Sequence, residues 1–285
     1  MRVELSRAEI CRAVRAALAE DLGGGDVTTL ATVPAGAQSV AHMNAREPLT
    51  VAGLQFAELA FRELSPKIQI KKLVRDGQKV AAGATLLKIS GSSRAILSAE
   101  RVALNFVQRL SGVATVTTQF AEAIKGTRAK ILDTRKTTPG WRRFEKYAVK
   151  CGGGKNHRIG LFDMVLIKDN HLVALQNEKP NAIAAAVTRS RKKFPKLKVE
   201  VEADTLEQVA QAADASADII LLDNMTTTQL RQAVKIIRGR AKTEASGGVN
   251  LKTVRSIAQT GVDFISVGGI THSARAVDIG LDFEN

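Results

Sequence analysis

The sequence predicts an α/β protein in two parts, the second a closed or nearly closed α/β barrel. Three observations carry this. The chain changes character near residue 112, from short alternating segments to long apolar ones. Six apolar, largely β-branched runs then recur after Gly126, separated by helical stretches. Strands alternating with helices of about 10–15 residues mean βα units and a parallel sheet, and six in succession suit a barrel better than an open sheet. Finally, no GxGxxG follows the first run, so the dinucleotide-binding version of α/β loses ground.

In order, 9–20 is an amphipathic helix through Ile10, Val14, Ala17 and Leu18, ended by Gly23-Gly24-Gly25. Short strands follow in V-A-H-M-N-A-R-E, I-Q-I-K-K-L-V and A-T-L-L-K-I-S, with turns at Asp76-Gly77 and Ala82-Gly83. The stretch from Val74 to Ile89 resembles the hairpins of lipoyl- and biotin-carrier domains, without their modified lysine tip, and 53–64 is a helix that can pack on this sheet. Ser98 is an N-cap candidate for a long helix over 99–125, with Ser111-Gly112 as a weak point where one domain hands over to the next. The domains are therefore 1–112 and 113–285. In the second, strands are expected at 129–132, 164–167, 198–201, 218–222, 243–245 and 264–267, and helices at 181–193, 205–215, 226–238 and 250–260.

Composition narrows the function. Hydrophobic residues make 45% and charged residues 25%, as in a globular protein. No run approaches the roughly 18–20 apolar residues of a membrane span, and the first ten residues lack a signal-peptide core. With two cysteines, Cys11 and Cys151, there is no disulfide framework or paired zinc motif, which points to the cytoplasm. The net charge of +14 demands anionic partners. Nucleic acid is disfavoured, because aromatics are only 4% and no zinc-finger or basic-zipper spacing occurs. A small polyanion explains the charge as well. Between Arg128 and Lys168 stand 11 lysines and arginines against three acidic residues.

A barrel collects its chemistry at the carboxyl ends of its strands. Those ends carry Asp133, Thr134, Arg135 and Lys136; Lys168, Asp169 and Asn170; Glu202; Asp223 and Asn224; Ser246-Gly247-Gly248; and Gly268-Gly269. Cations come first, carboxylates next and glycines last. The two glycine loops suggest a phosphate cradle beside helix N-termini, though such pairs also make ordinary βα turns. Glu202 and Asp223 suit sugar hydroxyls or Mg²⁺, or an ion pair with a nearby base. Glu200 shares parity with Glu202, so one of the two is structural. His157 and Arg158 follow Gly152–Gly154. His42, His171 and His272 are read as structural, and Cys151 as a poor candidate nucleophile.

The segments D-T-R-K-T-T-P-G, K-N-H-R-I-G-L-F-D-M-V-L-I-K-D-N-H, V-E-V-E, L-L-D-N-M, E-A-S-G-G-V and V-G-G-I-T-H-S resemble quinolinate phosphoribosyltransferase. So do E-D-L-G-G-G-D-V-T-T, S-A-E-R-V-A-L-N-F and the closing D-I-G-L-D-F, and the resemblance covers nearly the whole chain. It implies an N-terminal open α/β sandwich, an incomplete α/β barrel, and a C-terminal tail returning to the first domain. It implies transfer of phosphoribosyl from 5-phosphoribosyl 1-diphosphate (PRPP) to quinolinate with loss of pyrophosphate and carbon dioxide. Substrates would be held by Arg101, Thr134, Arg135, Lys136, His157, Arg158, Lys168, Glu202, Asp223, Ser246, Gly247, Gly248, Gly268 and Gly269. Lys136, Glu202 and Asp223 would be catalytic, with Mg²⁺ on the two carboxylates and no organic cofactor. The resemblance also implies a head-to-tail homodimer sharing its active sites through Arg101, and a hexamer as a trimer of dimers. The nearest rival is a sister transferase acting on nicotinate. A nucleic-acid-binding protein with a basic stripe is the rival from another class.

Overall fold

Alternating apolar positions and well-capped helices give two compact units, seen in a computed structural model that describes residues 3–284. The elements run α1 (Arg7–Leu22), α2 (Val27–Thr32), β1 (Gln38–Ala45), β2 (Leu49–Thr50), α3 (Leu54–Leu64), β3 (Gln69–Lys72), β4 (Lys79–Val80), β5 (Thr85–Ser92) and α4 (Ser93–Ala123). Then come β6 (Lys130–Leu132), α5 (Arg142–Cys151), β7 (Val165–Ile167), α6 (Asp169–Val173), α7 (Ala182–Lys193), β8 (Val199–Ala203) and α8 (Leu206–Asp214). The chain closes with β9 (Ile219–Asp223), α9 (Thr227–Ile237), β10 (Lys242–Ser246), α10 (Val254–Ala258), β11 (Phe264–Ser266), α11 (Gly269–His272) and β12 (Ile279–Phe283).

Of the described residues, the first unit comprises those from 3 to 118, Arg143–Gly153 and those from 273 to 284. Its antiparallel sheet has the order β12-β1-β5-β3. Helix α1 starts at a capping box, where Ser6 and Glu9 satisfy each other's backbone N–H groups, and buries Ile10, Val14 and Leu18. The core is aromatic at its centre: Phe56 stacks on Phe106 at 4.8 Å and meets the edge of Phe144 at 5.1 Å. Asp76, in the expected turn, accepts from the backbone of Gly53 and Leu54 at the start of α3 and from the Tyr147 hydroxyl at 2.6 Å. The stretch expected as a carrier-type hairpin pairs differently. Strand β4 joins β2, while β5 lies between β1 and β3.

Two expectations about α4 are corrected. It begins at Ser93 rather than 99, and Ser98 lies inside it, donating its hydroxyl to Asp26 at 2.8 Å instead of capping. Gly112 is no break either, since the helix runs on to Ala123. A Cβ there would sit 2.0 Å from the Arg275 carbonyl oxygen, so the glycine admits the C-terminal segment. Ser111 beside it is buried, taking the Ala52 N–H at 2.9 Å.

The barrel unit comprises Gln119–Arg142 and Gly154–His272. Six parallel strands follow the order β6-β11-β10-β9-β8-β7, as the six apolar runs predicted. Alternation in register puts Glu200, Glu202, Asp223, Glu244 and Ser246 on one side of these strands. Side chains from β8 and β10 meet although β9 separates those strands. That side is therefore the interior of a curved sheet. Val199, Val201, Ile220 and Leu222 point the other way and are buried. Among the described residues no helix is long and apolar enough to cross a membrane.

Candidate active site

The strand ends gather most of the predicted residues in the barrel unit. Asp133, fully buried after β6, accepts from the His157 N–H at 2.8 Å and from the Asn156 amide at 2.7 Å. This anchors the loop that carries His157 and Arg158 beside the loop of Thr134–Lys136. The hydroxyl of Thr134 takes the Lys136 N–H at 3.1 Å. Lys136 in turn lies against Gly268, where a Cβ would be 3.1 Å from its Cδ, and its carbonyl accepts from Thr271 at 2.7 Å. The first and last barrel strands in sequence thus lie side by side, while among the described residues no ladder joins the sheet's edge strands, β6 and β7.

Arg158 is only 8% exposed and donates to the Met164 carbonyl at 3.2 Å. Burial and the neighbouring Arg135 guanidinium together depress its pKa, with Glu200 and Asp163 opposing. Arg135 has its Nε buried without a hydrogen-bond partner. Two guanidiniums close enough to disfavour each other's charge are preorganised for an anion with more than one carboxylate, since each planar fork can take two bonds.

Glu202, at the end of β8, forms a 2.6 Å ion pair with Lys168. Both readings of that carboxylate therefore meet in one place: a strand-end site and a basic partner. Asp223 accepts from the Asn224 amide at 2.6 Å, at the adjacent strand end. Gly247, at φ +95°, fits where a Cβ would lie 2.1 Å from the Asn224 side-chain oxygen. The expected helix N-terminus after Ser246-Gly247-Gly248 is absent, because turns separate this loop from α10 at Val254. Gly268-Gly269 does lead directly into a helix, the four-residue α11.

Arg101 is exposed on α4, in the first unit. His171 is structural as expected, its Nδ1 accepting the Lys168 N–H at 3.0 Å. Cys151 is poorly placed for a nucleophile, since burial and the charge of Asp76 push its thiol up to about 12. A cleft of about 500 Å³ in the first unit is lined by Gln38, Val40, Lys67, Ser90 and Glu284 among others, and by no predicted site residue. The basic segment is also less concentrated than its charge suggested. Arg128 pairs with Asp263, Arg143 with Glu9, and Arg142 holds the carbonyls of Ile159 and Arg135. Arg135, Lys136, Arg158 and Lys168 remain at the barrel strand ends.

Sequence reasoning missed Glu244. It is 1% exposed, on β10, with Glu200 and His157 as neighbours. Its parity with Ser246 was the available signal. Burial first, then Glu200, lift its pKa to about 8. A carboxyl raised above its unfolded value stabilises the fold below the unfolded pKa and loses that contribution as pH rises through the folded one. The protein should therefore lose stability between about pH 4.5 and 8, and Glu244→Gln should flatten that slope in urea melts across the range. Parallel slopes would show that this carboxyl does not hold a proton in the fold.

Cations, then carboxylates, then glycines gather around the end of a parallel barrel, an arrangement suited to phosphorylated and carboxylated substrates. Family models described as quinolinate phosphoribosyl transferase match residues 26–111 with the N-terminal domain and 113–282 with the C-terminal domain. The chain is 45% identical to a nicotinate-nucleotide pyrophosphorylase (carboxylating) of Mycobacterium leprae, over 94% of this chain and 95% of that one. It is 44% identical to the mitochondrial quinolinate phosphoribosyltransferase (decarboxylating) 2b of Nicotiana tabacum, over 95% of this chain and 81% of that one. The solved nicotinate-nucleotide pyrophosphorylase of Francisella tularensis superposes with a TM-score of 0.93 at 43% identity, covering 99% and 98% of the two chains. The chain belongs to the quinolinate phosphoribosyltransferase family.

Proposed function

We propose that the protein transfers the phosphoribosyl group of PRPP to the pyridine nitrogen of quinolinate, releasing pyrophosphate and carbon dioxide and forming nicotinate mononucleotide for NAD synthesis. The observation that carries this is the Arg135–Arg158 pair, two cations held together for a substrate with two carboxylates. Lys136 and Lys168 add positive charge where the phosphates and the departing pyrophosphate need it. Glu202 and Asp223 receive the ribose hydroxyls. Their hard carboxylate oxygens, on adjacent strand ends, also fit Mg²⁺. Bound with PRPP, the ion would neutralise the leaving pyrophosphate. Ser246–Gly248 and Gly268-Gly269 offer backbone N–H groups to phosphate. After transfer, the cationic pyridinium ring draws electrons from the adjacent carboxylate and carbon dioxide departs, so no side-chain nucleophile is needed. Residence in the cytoplasm fits the two free cysteines.

Incubation with PRPP, Mg²⁺ and quinolinate should yield nicotinate mononucleotide and carbon dioxide, with nicotinate turned over at least about thirtyfold less efficiently, since it lacks one charged contact worth about 2–5 kcal/mol. Comparable use of nicotinate would reject the dianion reading.

The proposal extends to a homodimer, assembling further into a hexamer, in which Arg101 serves the partner's site. Arg101→Ala and Lys136→Ala proteins should each be nearly inactive. Mixed and allowed to exchange subunits, they should regain activity through sites with both residues intact. Confirmed exchange without recovery would refute the shared site.

A further inference from the structure

Inside the barrel, three side chains from three segments meet. The Nε2 of His157 lies 3.0 Å from Glu200 and 3.5 Å from Glu244. Both glutamates are fully buried, and their carboxylate oxygens have no conventional hydrogen-bond partner. Leaving buried carboxylate oxygens unpaired is costly, so the arrangement calls for a reason.

Three ligand atoms within 4.8 Å of one another would suit a metal ion. The histidine argues otherwise. Its Nδ1 accepts the Arg158 N–H at 2.8 Å and so carries no proton. The ring proton of the neutral imidazole therefore stands on Nε2, the nitrogen that faces Glu200 and Glu244 at 3.0 and 3.5 Å, where a metal would need a lone pair. The main-chain N–H of His157 is meanwhile taken by Asp133. The residue is thus gripped at ring and backbone, and its ring grips the backbone of Arg158.

We propose that His157 is a positioning residue rather than a substrate ligand, its ring clamped by Glu200 and Glu244 so that Arg158 is presented to a substrate carboxylate. This revises the role implied for His157 by resemblance, and it rests on the quinolinate reading for the identity of that carboxylate. Glu244, whose pKa burial lifts to about 8, keeps a proton at neutral pH and can donate it to Glu200.

The clamp is read without substrate by ¹⁵N NMR of the histidine rings, the His157 signals being assigned by their loss in His157→Gln. The expected result is a neutral Nε2–H tautomer, unchanged when quinolinate is added. A ring protonated on Nδ1, a ring that becomes charged or shifts tautomer on binding, or one equivalent of tightly bound metal would each overturn the proposal. Kinetics supply the second arm. Glu200→Leu should raise the KM for quinolinate at least tenfold and leave that for PRPP within about twofold. Glu244→Leu should do the same, and Glu244→Gln, which keeps a donor, should recover most of the loss. Equal defects in the two Glu244 variants, or a KM effect confined to PRPP, would count against it. Should Glu200→Leu not fold, the Glu244 pair and the NMR arm decide. If quinolinate is no substrate, only the kinetic arm falls silent, and the tautomer still tests the clamp.

Discussion

Arg158→Ala should reduce kcat/KM for quinolinate roughly 30- to 3,000-fold, the range that follows from losing one desolvated charged contact. The loss should fall on quinolinate rather than PRPP, because the partner guanidinium is Arg135 and not the carboxylates of Glu202 and Asp223. Folding should suffer little. The side chain contributes one hydrogen bond, to the Met164 carbonyl, while its charge is disfavoured by burial and by Arg135. Removing it therefore relieves repulsion as it removes a contact, and the Tm should stay within roughly 5 °C. A large fall in Tm, or an equal loss for both substrates, would show that Arg158 supports the fold.

The second expected result sets propensity against packing. In an isolated helix Gly112→Ala would gain about 1 kcal/mol. In α4 the new methyl group would meet the Arg275 carbonyl oxygen at 2.0 Å, and backbone cannot swing aside as a side chain can. Overpacking costs about 1–3 kcal/mol and more where backbone must shift, so the Tm should drop by roughly 10 °C. A Tm equal to or above that of the parent protein would mean that the C-terminal segment yields freely.

These two residues show what the sequence discloses and what it conceals. All six barrel strands were legible, four of them as short runs that are mostly apolar and two, V-E-V-E-A and K-T-E-A-S, in spite of carboxylates within them, and their ends marked the candidate site. Arg135 and Lys136 were visible for the same reason, and Arg158 because it follows Gly152–Gly154. Helix α5 was not. Its Arg142, Arg143, Lys146 and Lys150 blend into the surrounding basic segment, and its apolar side is short. In the structure Lys146 is buried and Glu145 pairs with Arg109 at 2.6 Å, so charges that look like part of a pocket hold the first unit together. Gly112 was seen but misjudged. A glycine inside a helix signals weakness when read locally, whereas its partner here is a carbonyl more than 160 residues away in the chain. Glu244 was hidden because a buried carboxyl in a strand looks like any polar interruption until its neighbours across the barrel are known.

Strand β12, the last element of the chain, pairs with β1, and the contact between Asn44 and Asp282 spans 238 residues. During synthesis, at roughly 5–20 residues per second, the outer edge of β1 thus waits about 10–50 s for its partner to be made. An unpaired edge is a template for any other strand, including the same strand of a neighbouring chain on the same messenger RNA. Completion of the first domain therefore waits until β12 has been made, and a chain cut short before β12 would keep that adhesive edge throughout its life.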